Sequence, residues 1–291
     1  MTLKQYEVLN RASLFLEKHN RETKVAELLL QHHLQVSRSK FFAKMQDPIP
    51  RTVMENFQAD IRKHALTGVP VQHLTGEESF YGRPFSINEN VLIPRPETEE
   101  LVQHVINLAG QKDKQPVIVD IGTGSGIIAI TLALEIPNAI VYASDISEEA
   151  LEIAARNAKQ LDVEVTFLHG DFLQPFIDNN IQADIIVSNP PYIAKADMKH
   201  ISDTVKNFDP ELALFAEENG LAAYQKIIEQ AHQVIKDDGQ LAFEIGDQQS
   251  VSVTALVKKR FPSAEVQTIK DINKKDRIIT VRQTLKTHPK K

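Results

Sequence analysis

Two short segments of this chain carry residue types and spacings that can do chemistry. The first is Val117-Ile-Val-Asp-Ile-Gly-Thr-Gly-Ser-Gly126, an apolar run entering a glycine-rich turn. Glycines at 122, 124 and 126 permit tight backbone geometry and close ligand approach. Such a turn also places free backbone N–H groups beside a ligand. The register excludes two other readings. A dinucleotide fingerprint needs G-x-G-x-x-G, and position 127 is isoleucine. A phosphate-binding loop ends in Gly-Lys-Ser/Thr, and none is present. A ligand-free strand-to-helix turn is the plainer alternative. Against it stands Asp145, 19 residues beyond Gly126 at the end of the next apolar run. A carboxylate at that spacing can accept hydrogen bonds from both hydroxyls of a ribose. Together the two features read as a site for a nucleotide-type cofactor.

Placed after the first strand of an α/β sheet, the D-x-G-x-G-x-G pattern of Asp120 to Gly126 resembles the S-adenosylmethionine (SAM) site of Rossmann-like methyltransferases. On that likeness Asp171-Phe172, after the third strand, flanks the adenine: Asp171 can accept from the exocyclic amine and Phe172 can pack on the ring. A capping Asp and a core Phe are the alternative there. The second segment is Asn189-Pro190-Pro191-Tyr192, which follows the strand-like Asp184-Ile-Ile-Val-Ser 63 residues past Gly126. Ligands in open α/β sheets bind at the carboxyl ends of strands, so this segment lies beside the cofactor. The Asn189 side-chain oxygen and the Pro190 carbonyl are acceptors, and an NH₂ group offers two donors. Two acceptors aimed at one NH₂ orient it. They also stabilise positive charge as that nitrogen attacks the methyl of a sulfonium. Proline stiffens the turn, and Tyr192 offers an aromatic face for a flat amide or base. An amide nitrogen is a weak nucleophile, so positioning must carry the rate.

The elements that must position these segments follow from periodicity. The first 67 residues read as helices. Val25, Leu28, Leu29 and His32 share one face of 22–34, Ser37 can cap a short helix, and Val53, Phe57, Ile61 and Ala65 recur every fourth residue before Gly68. Residues 77–93 read as a β-hairpin with turns at 81–84 and 88–90, and 97–108 as a helix. Beyond it, apolar runs at 117–121, 140–144, 163–168, 184–188 and 241–245 alternate with helical stretches at 127–134, 147–160, 220–235 and 248–259. That alternation predicts an α/β fold: a Rossmann-like domain with a mostly parallel sheet. A closing strand pair is expected at 265–269 and 278–282. The domain reading is 1–75 helical bundle for substrate recognition, 76–93 hairpin linker, 94–285 catalytic domain and 286–291 polar tail.

Composition narrows the classes further. The 291 residues include no cysteine, which excludes disulfides, a thiolate nucleophile and Cys-ligated metals. The ten histidines show no metal-ligand spacing, so no metal is expected. Charges run through the first 20 residues, and the longest uncharged stretch near the core, 121–134, is shorter than the about 20 apolar residues of a span. A cytoplasmic protein with no membrane association is expected. Net charge is −6, but residues 1–75 hold 11 basic and 7 acidic side chains. A basic module on an acidic one suits an acidic macromolecular partner, or simply a solvated basic face.

The chain resembles the HemK/PrmC family of protein-(glutamine-N5) methyltransferases over nearly its whole length. The narrowest signals are Gly68-Val-Pro-Val-Gln-His-Leu-Thr-Gly76, Phe80 and Leu92-Ile-Pro-Arg-Pro-Glu-Thr-Glu99; Asp120 to Gly126 and Asn189 to Tyr192 complete the likeness. The resemblance implies methyl transfer from SAM to the glutamine of the Gly-Gly-Gln motif in class I peptide chain release factors. It implies that Gly122, Thr123, Gly124, Ser125, Gly126, Asp145, Phe172 and Asn189 hold SAM. It further implies that Asn189, Pro190, Pro191 and Tyr192 hold the glutamine amide, with Asn189, Pro190 and Tyr192 catalytic. The family often has tryptophan at the position of Phe172, and Pro94-Arg95-Pro96 would line the active-site mouth. Three other readings remain: a glutamine methyltransferase acting on a ribosomal protein, a nucleic-acid base N-methyltransferase, and an inactive SAM-binding interaction protein. The acidic catalytic part argues against direct nucleic-acid binding.

Overall fold

Apolar runs and amphipathic stretches become a helical unit and an α/β unit in the computed structural model, which describes residues 3–111, 115–200 and 203–283. The polar tail at 286–291 lies outside the described residues.

The first unit gathers residues 3–77 with 203–208. It holds α1 (Gln5–Lys18), α2 (Lys24–Leu34), α3 (Arg38–Ala43), α4 (Arg51–Thr67) and α5 (Val71–Thr75). Leu16, Leu29, Leu30, Phe41, Phe57 and Ile61 close its core. Ser37 caps α3 by accepting from the Lys40 N–H, as expected. Gly68 ends α4 in the left-handed region, φ +75°. The buried face of α2 is Val25, Ala26, Leu29 and Leu30, one residue round from the expected stripe, and Leu28 is 41% exposed. Small Ala26 lets the helices approach, so shape rather than hydrophobicity alone chose the face.

The second unit, the described residues of 78–200 with 209–283, opens on a hairpin of β1 (Glu77–Phe80) and β2 (Arg83–Ser86). Tyr81 and Gly82 both have positive φ, the geometry of a two-residue hairpin turn. Then follow α6 (Pro96–Ala109), β3 (Val117–Ile121), α7 (Ile127–Glu135), β4 (Ile140–Asp145), α8 (Glu148–Gln160), β5 (Thr166–His169), α9 (Gln174–Asp178) and β6 (Ala183–Ser188). Short pieces come next: β7 (Ile193–Ala194), a 3₁₀ turn, α10 (Asp203–Phe208, of the first unit), α11 (Glu211–Leu214), β8 (Phe215–Ala216) and the kinked turn α12 (Glu217–Gly220). The chain closes with α13 (Ala222–Val234), β9 (Ile235–Glu244), α14 (Ser250–Arg260), β10 (Glu265–Lys270) and β11 (Asp276–Arg282).

Seven strands form one sheet in the order β10-β11-β9-β6-β3-β4-β5. The five from β9 to β5 run parallel, and β11 and β10 close the edge antiparallel. Alternate residues serve opposite faces. Val119, Ile121, Ile186 and Phe243 pack with Tyr224, Ile227 and Val253 from α13 and α14. Ile118, Ile185 and Val187 pack with Leu101, Val105, Ile128 and Ile130 from α6 and α7. The expected fold class is therefore the observed one. Strand β5 starts three residues later than expected, because the Val163 N–H bonds the Ala158 carbonyl and closes α8 behind left-handed Asp162. Among the described residues no helix is long and apolar enough to cross a membrane.

Candidate functional site

Strand register assembles the site. Ile121 lies opposite Ser144 on β4 and opposite Ser188 on β6. The next residues of the three strands, Gly122, Asp145 and Asn189, therefore leave the sheet side by side at its carboxyl edge. Successive strands run outward from β3 through β4 to β5, then the chain returns to β6 on the other side of β3. That reversal opens a crevice where no crossover covers the strand ends.

The glycine-rich turn is tied to this edge by its backbone. The Gly122 and Thr123 N–H groups donate to the Ser144 carbonyl at 2.9 and 3.0 Å. The Gly124 N–H donates to Asp145 Oδ2 at 2.8 Å, and the Ser147 N–H to Asp145 Oδ1 at 3.0 Å. Below the turn, Asp120 is fully buried and accepts from Thr123 Oγ1 at 2.6 Å and from the Ala129 N–H at 3.2 Å. Burial pushes its carboxyl up to about 7, against the pull of those two hydrogen bonds. The three glycines differ in kind. Gly122 and Gly124, at φ +68° and +55°, face open space where a Cβ would stand. At Gly126, φ +83°, a Cβ would lie 2.7 Å from Ile130 Cδ1 and 3.0 Å from Ala154 Cβ. The first two leave room at the cavity; the third lets α7 and α8 approach.

The crevice is a cavity of about 550 Å³ whose walls include Gly122, Gly124, Asp145, Phe172, Asn189 and Pro191. That volume suits a cofactor-sized ligand. Thr123 and Ser125 also reach it, whereas Gly126, Pro190 and Tyr192 do not. Phe172 sits at φ +49°, with its carbonyl bonded by Ser144 Oγ at 2.9 Å. The Lys226 ammonium pairs with Asp171 and stands 5.6 Å from the Phe172 ring centre. Pro94 and Arg95 line the cavity as well, and the Arg95 guanidinium donates at 2.6 Å to the carboxylate of Asp209, buried in the wall.

Around Asn189 the contacts run inward. Its Nδ2 donates to Thr98 Oγ1 at 3.2 Å, and Thr98 Oγ1 donates to Glu244 Oε2 at 2.7 Å. Glu244 stands there because Ser188 pairs with Phe243 across β6 and β9. Thr98 and Glu244 are buried. Burial pushes the Glu244 carboxyl up to about 7, opposed by the Thr98 hydrogen bond and by Arg277. Pro190 is buried, and the Tyr192 ring packs against the sheet core, its hydroxyl pushed up to about 12 by burial. The turn is clamped from behind. Gln249 Nε2 donates to the Tyr192 carbonyl at 2.9 Å, and a Cβ on Gly220 would lie 2.1 Å from that same oxygen.

Sequence reasoning brought Gly122, Gly124, Asp145, Phe172 and Asn189 to one cavity, and the structure places them there. It missed Thr98, Glu244, Gln249 and Gly220. A signal existed for one of them: Glu244 is a carboxylate inside the apolar run 241–245, where burial is costly without a partner. Among the described residues no His, Asp and Glu cluster could hold a metal ion.

The fold and the site together define a Rossmann-like methyltransferase domain. A T. thermophilus 16S rRNA N2 G1207 methyltransferase, solved with AdoMet and guanosine, superposes with a TM-score of 0.51 at 14% identity, over 71% of this chain and 49% of that one. Residues 7–76 match the PrmC N-terminal domain model, and 98–208 match the methyltransferase small domain model. A release factor glutamine methyltransferase from Bacillus anthracis is 43% identical over 279 residues, 95% of this chain and 98% of that protein. The same-named protein from Bacillus subtilis is 45% identical over 277 residues, 94% and 96% of the two chains. This chain belongs to the family of release factor glutamine methyltransferases.

Proposed function

We propose that this chain transfers a methyl group from SAM to the side-chain amide nitrogen, N5, of the glutamine in the Gly-Gly-Gln motif of class I release factors. Its relatives are named release factor glutamine methyltransferases, which supports this reading. The observation that carries the reading is Asn189 at the carboxyl end of β6, one strand from the glycine cradle, with its Nδ2 donating inward to Thr98. Its Oδ1 is then the acceptor left for an incoming NH₂.

The residues present fit the cofactor. Gly122 and Gly124 leave open the space that a Cβ would fill, Asp145 brings a carboxylate to a ribose-like diol, and Phe172 brings a ring for a base. SAM, when bound, supplies an electrophilic methyl on a cationic sulfur. Asn189 Oδ1 orients the substrate NH₂ and stabilises the positive charge that grows on nitrogen; Pro190, whose carbonyl the sequence offered as the second acceptor, lies outside the cavity lining and serves to stiffen the turn. The two prolines and the Gln249 clamp stiffen the turn, so little reorganisation accompanies attack. The nitrogen proton leaves to water after the methyl has transferred, so no general base is required. Tyr192 acts from behind: its half-buried ring packs on the core and supports the turn.

Residues 1–75 form the substrate-recognition module in this reading, supported by their excess of basic side chains. The test is direct. Tritiated SAM is mixed with the protein and, in turn, a class I release factor, a ribosomal protein preparation and nucleic acid. Label confined to the Gly-Gly-Gln peptide is expected. Label on another protein or on a base would replace the reading.

A further inference from the structure

The Asn189 amide can present either its oxygen or its nitrogen to the cavity, and only the oxygen can accept from a substrate NH₂. Something must choose between two orientations of nearly equal shape. The choice is made two residues away. The Thr98 hydroxyl has one hydrogen, and an ionised Glu244 carboxylate 2.7 Å away can only accept it. The hydroxyl lone pair then faces Asn189 at 3.2 Å and can only receive, which draws Nδ2 inward. The NH₂ group is thereby drawn inward, and Oδ1 is left toward the cavity.

We propose that Glu244, acting through the Thr98 hydroxyl, is a positioning residue that holds the Asn189 amide with its oxygen toward the substrate nitrogen. This role rests on the methyl transfer proposed for the site. Glu244 lies outside the cavity lining, and Thr98 reaches it only as a buried residue of the wall. Glu244 comes from β9 and Thr98 from the first turn of α6, so the amide of β6 is oriented by two elements distant in sequence.

The relay works in one protonation state. A protonated Glu244 can donate to Thr98 Oγ1, which frees the hydroxyl hydrogen to turn toward Asn189 and accommodates the flipped amide. A donor would then face a donor in the cavity. The groups around Glu244 are Thr98 and Glu97 on α6, Asn189 and Tyr192 at the end of β6, Tyr224 on α13 and Arg277 on β11. Arg277 is the cation among them and favours the ionised form; Glu97 opposes it. Methyl transfer should therefore rise with pH through a single ionisation near neutrality.

Two measurements test this on the full chain. The first is single-turnover methyl transfer to a class I release factor at saturating SAM from pH 5.5 to 9. Thr98→Val keeps the shape and deletes the hydroxyl; it should slow transfer about tenfold, the worth of one hydrogen bond. SAM affinity by calorimetry should stay within about twofold, and Thr98→Ser should restore the rate. Glu244→Gln should abolish the ionisation near neutrality. The second is hydrogen exchange of the Asn189 side-chain NH₂ by NMR, its signals assigned by their loss in Asn189→Asp. These hydrogens should be protected above pH 7 in the wild type and unprotected in Thr98→Val. A wild-type rate in folded Thr98→Val, an unchanged pH profile in Glu244→Gln, or equal protection in both proteins overturns the relay. Wild-type protein that methylates no release factor would overturn the functional reading instead, and the exchange measurement would still judge the relay.

Discussion

Two alanine substitutions two residues apart should fail in opposite ways. At Gly126 a Cβ would meet Ile130 Cδ1 at 2.7 Å, Ala154 Cβ at 3.0 Å and Ala154 Cα at 3.2 Å. The flexible end of Ile130 can shift, but the backbone of α8 cannot without moving the helix. Overpacking of that kind costs about 1–3 kcal/mol. The left-handed backbone, φ +83°, adds about 1–2 kcal/mol for alanine. Gly126→Ala should therefore lose about 3 kcal/mol, or about 6–12 °C in melting temperature for a domain of this size. At Gly124 nothing lies within 4 Å of the same atom, and the residue lines the cavity. Gly124→Ala carries only the left-handed penalty, about 1–2 kcal/mol, but its methyl projects where the cofactor would lie. SAM Kd should rise at least about tenfold, 1.4 kcal/mol. Urea denaturation with calorimetry on both variants separates the effects. If Gly126→Ala unfolds at the wild-type midpoint, or Gly124→Ala binds SAM as the wild type does, the division of the glycines into packing and cradle is wrong.

The other expectations concern the cradle, the turn and pH. Asp145→Ala removes acceptors for the Gly124 and Ser147 N–H groups as well as the carboxylate facing the cavity; SAM binding should weaken roughly tenfold or more by calorimetry, and an unchanged Kd would remove Asp145 from the site. Asn189→Ala should lower kcat by about 10²–10³ while SAM affinity changes less, and a normal single-turnover rate would reduce Asn189 to a turn former. Gly220→Ala drives a methyl to 2.1 Å from the Tyr192 carbonyl, so kcat should fall with the displaced turn, a result checked by steady-state kinetics on folded protein. Asp120 keeps its proton up to about 7 when folded, while the unfolded chain releases it near 3.8. Stability from this group is full at low pH and is lost as pH rises between those values, by up to about 4 kcal/mol. Glu244 acts in the same sense. Asp120→Asn should flatten that slope in urea titrations from pH 4 to 8, and equal slopes would show that the proton is not retained.

Local order is legible in the amino-acid sequence. The period-two and period-3.6 patterns, the glycine turn after an apolar run and the Asn-Pro-Pro-Tyr after another identify elements and the chemistry at their ends, because these depend on neighbours along the chain. Asp145 is legible too, since strand and helix lengths in a β-α-β unit vary little. Element ends are less so: Val163 reads as strand, yet its N–H is taken by the end of α8. The face of α2 is offset for a related reason, because packing partners choose among apolar residues that periodicity ranks equally. What only the tertiary structure decided is register and contact across distance. Glu244 reaches Asn189 because β9 lies beside β6 with Phe243 opposite Ser188. Thr98 reaches both because α6 packs over that strand pair. The Tyr192 ring, which could have faced a ligand, instead packs against the core. No sequence spacing encodes such pairings: strand order and helix docking are set by the summed burial of the whole unit, and a one-residue slip would place different side chains at the edge.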